Sequence, residues 1–299
     1  MRKIAVIIFF IFITLLTIKF FYGHKLSIKT NGISGLLAEK KIDYLFIGSS
    51  QTRQSLNPKT LVDSLSNPYI LAYNGNSLYY SYFLLKILIE NDNLQTKKII
   101  VEAYPFRIYQ KTSFSDPRMF NSLRAKEKIA FLHYSNNILS ALDIYELLVM
   151  SGNESMLTYP LLNHFHTSLS YKGGYINKQV PGLTPKEFLD LKSPLNRKTN
   201  RDKNNLQLTA LSNIIALCKK HNISLCFLEP PVPAHIASSA IFKHSHLETK
   251  KFVKKNNIQY LDNDNYHFKN NNPLMFNDAV HLSTLGRDIY TRSIIGLIK

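Results

Sequence analysis

Residues 42–58 read IDYLFIGSSQTRQSLNP, and the order of residue types in this stretch decides the fold. Tyr44 to Ile47 is a short apolar run of the kind found in strands buried on both faces. It breaks at Gly48-Ser49-Ser50, and Asn57-Pro58 then offers an N-cap residue followed by proline at the first helical position. A buried strand followed at once by a helix is one unit of an α/β fold, and the unit recurs downstream. Tyr69 to Tyr73, Lys98 to Val101, Ile223 to Leu228 and Ile258 to Leu261 read as further strands. Ser77 caps a helix running through Ile89. Leu211, Ile214, Ile215 and Cys218 lie at helical spacing, and Ser283 opens a terminal helix that holds Ile289, Ile294, Ile295 and Ile298. The pattern predicts an α/β three-layer sandwich with a five-stranded, mostly parallel sheet. Between about 105 and 205 the alternation fails. Helical pieces such as Arg124 to Met150 and loops at Ser151-Gly152-Asn153 and Gly173-Gly174 predict a largely helical insertion there.

The first residues set the organisation. Arg2 and Lys3 precede Ile4 to Ile18, an uncharged and almost wholly apolar run continued past Lys19 by Phe20, Phe21 and Tyr22. Lys19 can snorkel and the aromatics suit an interface, so the segment approaches the length of one bilayer crossing. No small-x-small cleavage site follows, which favours an uncleaved anchor. The layout expected is a transmembrane anchor at 1–22, a linker at 23–41 and an α/β domain at 42–299. A single-pass protein of the inner or cytoplasmic membrane follows, with its domain outside the cytoplasm.

The 37 Lys and Arg against 20 Asp and Glu give a formal charge of +17, which favours anionic partners. No nucleic-acid module accompanies the charge, so anionic lipid or envelope polymer is expected rather than nucleic acid. Cys218 and Cys226 read as small core residues, and a disulfide between them needs a geometry that a helix and a strand do not guarantee. The pairs His164/His166 and His244/His246 would share a face if they stood on strands, but no carboxylate or cysteine stands at a matching ligand spacing. No metal and no cofactor is expected. Tyr79 to Phe83 reads as helix packing.

Polar residues collect where strands end. Gly48-Ser49-Ser50 follows the first strand, Asn74-Gly75-Asn76-Ser77 the second, Glu102-Ala103-Tyr104 the third and Glu229-Pro230-Pro231 the fourth. Asn277-Asp278-Ala279-Val280-His281 follows the fifth. In an open parallel sheet these ends share one rim, where ligands bind. A serine hydroxyl needs a base within reach, and the base needs a partner that fixes its tautomer. Asp278 and His281, three positions apart, suit those two roles.

The blocks FIGSSQTRQSLNP, YNGNS and FNDAVHLSTLGRDIY, together with CKKHNISLCFLEPPVPAHI, resemble the SGNH (GDSL-like) hydrolases, most of all the membrane-anchored, DltD-like proteins and polysaccharide O-acetyltransferases of cell envelopes. The resemblance covers about two-thirds of the chain and implies a flavodoxin-like SGNH fold. It implies Ser50 as nucleophile, His281 as base and Asp278 as the acid that orients it. Backbone N–H groups of Ser50 and of the second block, at Gly75 or Asn76, are implied as oxyanion donors. The family's third block ends in Asn, whereas here IIVEAYPF offers Glu102 and Tyr104.

Two readings follow. One is a membrane-anchored serine esterase or O-acyltransferase acting on acyl esters of an envelope polysaccharide, with an acyl-bearing glycan or anionic polymer as substrate and a membrane-bound acyltransferase as a candidate partner. The other is a catalytically weak accessory or binding protein that keeps the fold.

Overall fold

The computed structural model describes residues 32–39, 41–92, 94–104, 116–136, 170–175, 179–192 and 206–299, with positions 6, 9–11, 13, 14, 17, 112, 138–140 and 143. Five strands form one sheet: β1 (Tyr44–Gly48), β2 (Pro68–Ala72), β3 (Lys98–Glu102), β4 (Ser224–Leu228) and β5 (Gln259–Leu261). Their spatial order is β2-β1-β3-β4-β5, and every pairing is parallel. This is the doubly wound order of flavodoxin-like sheets, in which the chain reverses direction across the sheet between β1 and β3.

Seven helices matter for the site: α1 (Gly32–Ala38), α2 (Ser50–Ser55), α3 (Pro58–Ser64), α4 (Leu78–Lys86), α5 (Leu206–Lys220), α6 (Ala240–Lys255) and α7 (Thr284–Ile298). Their starts follow the chemistry of their first residues. The side chains of Asn57, Ser77 and Ser283 accept backbone N–H groups of α3, α4 and α7, so helix-end donors that would otherwise be orphaned are satisfied. The helix of α4 continues as a π-turn over Ile87–Asn91.

Strand alternation divides the apolar side chains between two cores. Leu45, Ile47, Tyr69, Leu71, Ile99, Val101 and Phe227 face α1, α4 and α5. Phe46, Ile70, Ala72, Ile100, Cys226 and Leu228 face the other layer, where Leu56, Leu61, Tyr290 and Ile294 cover them. Burial of each large apolar side chain contributes roughly 1.5–3 kcal/mol, so both layers are held to the sheet by many independent contacts. Cys218 lies in the first core and Cys226 in the second, on opposite faces of the sheet. Both are free thiols, pushed up to about 12 by burial, and the sheet between them rules out the disulfide.

The described part of the insertion is mixed in structure. It includes a helix at Ala125–Tyr134, shorter than the expected Arg124 to Met150. It also holds a small antiparallel hairpin, Ser170–Tyr171 with Gly174–Tyr175, which the sequence reading did not foresee. Among the described residues no helix is long and apolar enough to cross a membrane, and the expected anchor falls largely outside them. Within that segment Phe9, Phe10, Ile11 and Ile13 are helical and exposed, and the hydroxyls of Thr14 and Thr17 donate to the carbonyls of Phe10 and Ile13 at 2.8 Å.

Candidate active site

β1 ends at Gly48 and β3 at Glu102, which places both at the topological switch point of the sheet. A Cβ on Gly48 would fall 2.1 Å from Thr52 Oγ1 and 2.6 Å from Glu102 Oε2, so no larger residue fits. The chain then turns directly into α2, with Ser49 as its N-cap and Ser50 as its first residue. Glu102 is buried beneath this turn. Its Oε2 accepts from Ser49 N–H at 2.8 Å, Thr52 N–H at 3.1 Å and Thr52 Oγ1 at 2.6 Å, while its Oε1 accepts from Ser49 Oγ at 2.7 Å. One carboxylate therefore fixes the conformation of the turn and lies at the positive end of the helix, where negative charge is favoured. Sequence reasoning found Ser50 and missed Ser49, Thr52 and the role of Glu102.

The partners of Ser50 come from the loop before α7. Phe276 and Leu282 form an isolated antiparallel bridge, and Asn277 N–H donates to His281 O at 2.9 Å, so residues 276–282 close into a tight loop. Within it Asp278 Oδ1 accepts from Val280 N–H and His281 N–H, both at 2.8 Å, in an Asx-type turn. Its other oxygen meets His281 Nδ1 at 2.8 Å, and His281 Nε2 lies 2.9 Å from Ser50 Oγ. Gln51 Nε2 donates to Val280 O at 3.2 Å and ties α2 to the loop. A Cβ on Gly286 would fall 2.0 Å from Met275 O, so the first turn of α7 is seated directly on the backbone that leads into the loop.

The structure thus brings together Ser50, His281 and Asp278 in one hydrogen-bonded line, with Ser50 and His281 both partly exposed. Burial works to raise the Asp278 carboxyl. The hydrogen bond and charge of His281 and the two backbone N–H donors outweigh it, and hold this carboxyl below the usual aspartate range. A carboxylate that stays ionised fixes the tautomer in which Nδ1 carries the proton and Nε2 faces the hydroxyl.

Of the first N–H groups of α2, Gln51 N–H is taken by Ser49 Oγ at 3.1 Å and Thr52 N–H by Glu102. Ser50 N–H has no partner among the described residues, which leaves it as the donor open to a developing oxyanion. In the second block the two candidates separate. Asn76 N–H is donated to Tyr73 O at 3.1 Å, and its side-chain amide donates to Gly48 O at 3.1 Å and Ser81 Oγ at 3.0 Å. Asn76 therefore braces the rim, a correction to its assignment as an oxyanion donor. Gly75 stands at φ +64°, and its N–H has no partner among the described residues. Glu102 offers no donor where the resembled family has Asn.

Of the two His-x-His pairs, one lies among the described residues. His164 and His166 lie outside the described residues. His244 and His246 stand on α6, not on a strand, and two positions along a helix turn the side chains to nearly opposite sides. His246 Nδ1 bonds Glu229 Oε2 at 2.8 Å instead. His246, Asp262 and Asp264 cluster as metal ligands would, but Lys250 Nζ already sits 2.9 Å from Asp262 Oδ2 and 2.7 Å from Asp264 Oδ2. The chain's own ammonium fills the position of a cation there. Tyr80 and Phe83 are buried within α4, as packing residues.

No family model matches the chain, and no curated protein matches it. Solved structures similar to it include one described as an acylhydrolase from Bacteroides fragilis NCTC 9343, at 12% identity over 93% of each chain with a TM-score of 0.43. A GDSL-like lipase from Bacteroides thetaiotaomicron VPI-5482 is 11% identical over 86% of this chain and 87% of its own, with a TM-score of 0.42. The C-terminal catalytic domain of Streptococcus pneumoniae peptidoglycan O-acetyltransferase A, with a methylsulfonyl adduct, is 10% identical over 86% of this chain and 92% of its own, with a TM-score of 0.36. These names are of the kind the motifs resemble, and none is DltD-like. At such identities and TM-scores the likeness carries no weight beside the geometry of the site.

Proposed function

We propose that the protein is an SGNH-type serine esterase or O-acyltransferase. The observation that carries this reading is the line from Asp278 through His281 to Ser50 Oγ, at 2.8 and 2.9 Å. Ser50 Oγ attacks the acyl carbonyl while His281 Nε2 takes the hydroxyl proton, and the resulting oxyanion faces the N–H groups of Ser50 and Gly75. Collapse expels the alcohol, which receives the proton from His281, and leaves the acyl group on Ser50. Water or a glycan hydroxyl then gives its proton to His281, attacks the acyl-enzyme and releases acid or a new ester. The substrate class is an acyl-bearing glycan or related envelope polymer. Residues 1–22 hold the domain at the membrane, its surface charge favours an anionic polymer or lipid, and a membrane-bound acyltransferase is the candidate donor partner.

A fluorophosphonate probe tests the nucleophile. The wild type is expected to label and to release acid from simple esters, and Ser50→Ala to do neither. His281→Ala should lower turnover about 10²- to 10⁴-fold, the worth of general-base help. Equal labelling of wild type and Ser50→Ala would remove Ser50 from the role.

The committed carboxylate of Glu102, where a donor would strengthen the oxyanion hole, favours a second reading: an accessory protein of weak activity. In that case Ser50→Ala and His281→Ala leave the cellular phenotype unchanged.

A further inference from the structure

A second group of polar side chains gathers at the carboxyl ends of β4 and β5, on the same rim as Ser50. Glu229 follows β4 directly and is 4% exposed. Its Oε2 is fully used, by His246 Nδ1 at 2.8 Å and by the hydroxyl of Tyr260. Its Oε1 forms no hydrogen bond among the described residues, yet Glu229 lines a cavity of about 180 Å³. Val232, Phe242, His246, Asn263 and Asn270 are among the other wall residues. The Oδ1 of Asn263 is likewise buried without a hydrogen-bond partner among the described residues.

Size and charge narrow the occupant. The volume corresponds to about six water molecules at ~30 Å³ each, well under the ~300 Å³ at which drug-sized sites begin. Charges in and behind the wall are balanced: Glu229, Asp262 and Asp264 stand against His246, Lys250 and Lys243. Neither a bare cation nor a strong anion is selected by such a wall. A carboxylate oxygen of buried Glu229 and an amide oxygen, both lacking donors among the described residues, call for hydroxyl groups, and the ring of Phe242 supplies an apolar face.

The cavity connects to the reaction line. Val232 and Phe242 pack in one apolar cluster with Tyr104, and Ala279 and Val280, the residues between Asp278 and His281, pack against it. We propose that this cavity is a subsite for one neutral, hydroxyl-rich ring of a glycan. Its service as an acceptor subsite rests on the reading of Ser50 given above, whereas the binding does not.

Saturation-transfer NMR on the full chain in a sugar-free zwitterionic detergent tests it, with glucose, galactose, mannose, rhamnose, N-acetylglucosamine and N-acetylgalactosamine as probes and magnesium and methylammonium as competitors. Wild type is expected to bind at least one sugar, without competition from either cation. Glu229→Gln, which turns an acceptor facing the cavity into an amide, should weaken binding by about tenfold or more. Asn270→Phe, at the partly exposed mouth, should block it and carries the test if Glu229→Gln does not fold. Ser50→Ala should bind as wild type does, so a failure of the nucleophile reading shows in probe labelling and leaves this result intact. No binding of any sugar, binding unchanged in both cavity variants, or displacement by magnesium or methylammonium would each overturn the proposal.

Discussion

Glu102 replaces several separate caps with one carboxylate, and its removal orphans two buried N–H groups, those of Ser49 and Thr52. An unsatisfied buried donor costs about 1–3 kcal/mol, so Glu102→Ala should lower the unfolding midpoint by several degrees and reduce turnover by loosening the Ser50 turn. Glu102→Gln should lie between, because one of its two terminal groups can no longer accept. Thermal unfolding and simple-ester kinetics check this, and a variant that melts and turns over as wild type does would show that the carboxylate is incidental. The difference between Ser50 and Glu102 also shows what a linear sequence conveys. Asp278 and His281 are three residues apart, so their pairing follows from local spacing. Ser49 and Glu102 are 53 positions apart and meet only because β1 pairs with β3 in a register that sets Gly48 beside Glu102. Nothing short of the sheet order reveals that contact.

Helix α6 meets the ends of β4 and β5 through His246, which faces Glu229 after β4, Asp262 after β5, Tyr260 on β5 and Lys250 one turn along its own helix. The hydrogen bond that His246 Nδ1–H donates to Glu229 Oε2 raises the His246 pKa above its ordinary value, against the effect of burial. Burial raises Glu229 in its turn. A group raised in the folded state binds its proton more tightly there than in the unfolded chain. Its contribution is therefore full below about pH 6.5, the unfolded histidine value, and is lost as pH rises through the folded value. The unfolding midpoint of wild type should fall across that window, and that of His246→Asn should fall less. Parallel pH profiles would sink this account. The strands themselves were legible to within one residue at either end, because strands covered on both faces read as short unbroken apolar runs. The contact of His246 with Glu229 was not legible in the sequence, since the two are 17 positions apart and meet only where α6 packs at the ends of β4 and β5.

At the scale of the molecule, the described side chains among the first 22 residues belong to neither core. A chain lacking them should leave the membrane fraction and keep fluorophosphonate labelling at Ser50, whereas the full chain should sediment with membranes and resist extraction by salt. Release of the full chain by salt alone would reduce the segment to a surface contact. The insertion was the least legible region, because its elements are short and depend on the sheet they lie against. Its small hairpin shows what that dependence accomplishes. Ile70 N–H, on the outer side of edge strand β2, is donated to Lys172 O at 2.8 Å, and Gly173 at φ +81° comes so close that a Cβ there would fall 1.8 Å from Ile70 O. A sheet border closed in this way cannot recruit a strand from a neighbouring molecule. Shortened versions made for crystallisation should therefore retain this clasp, or expect precipitation before any chemistry can be measured.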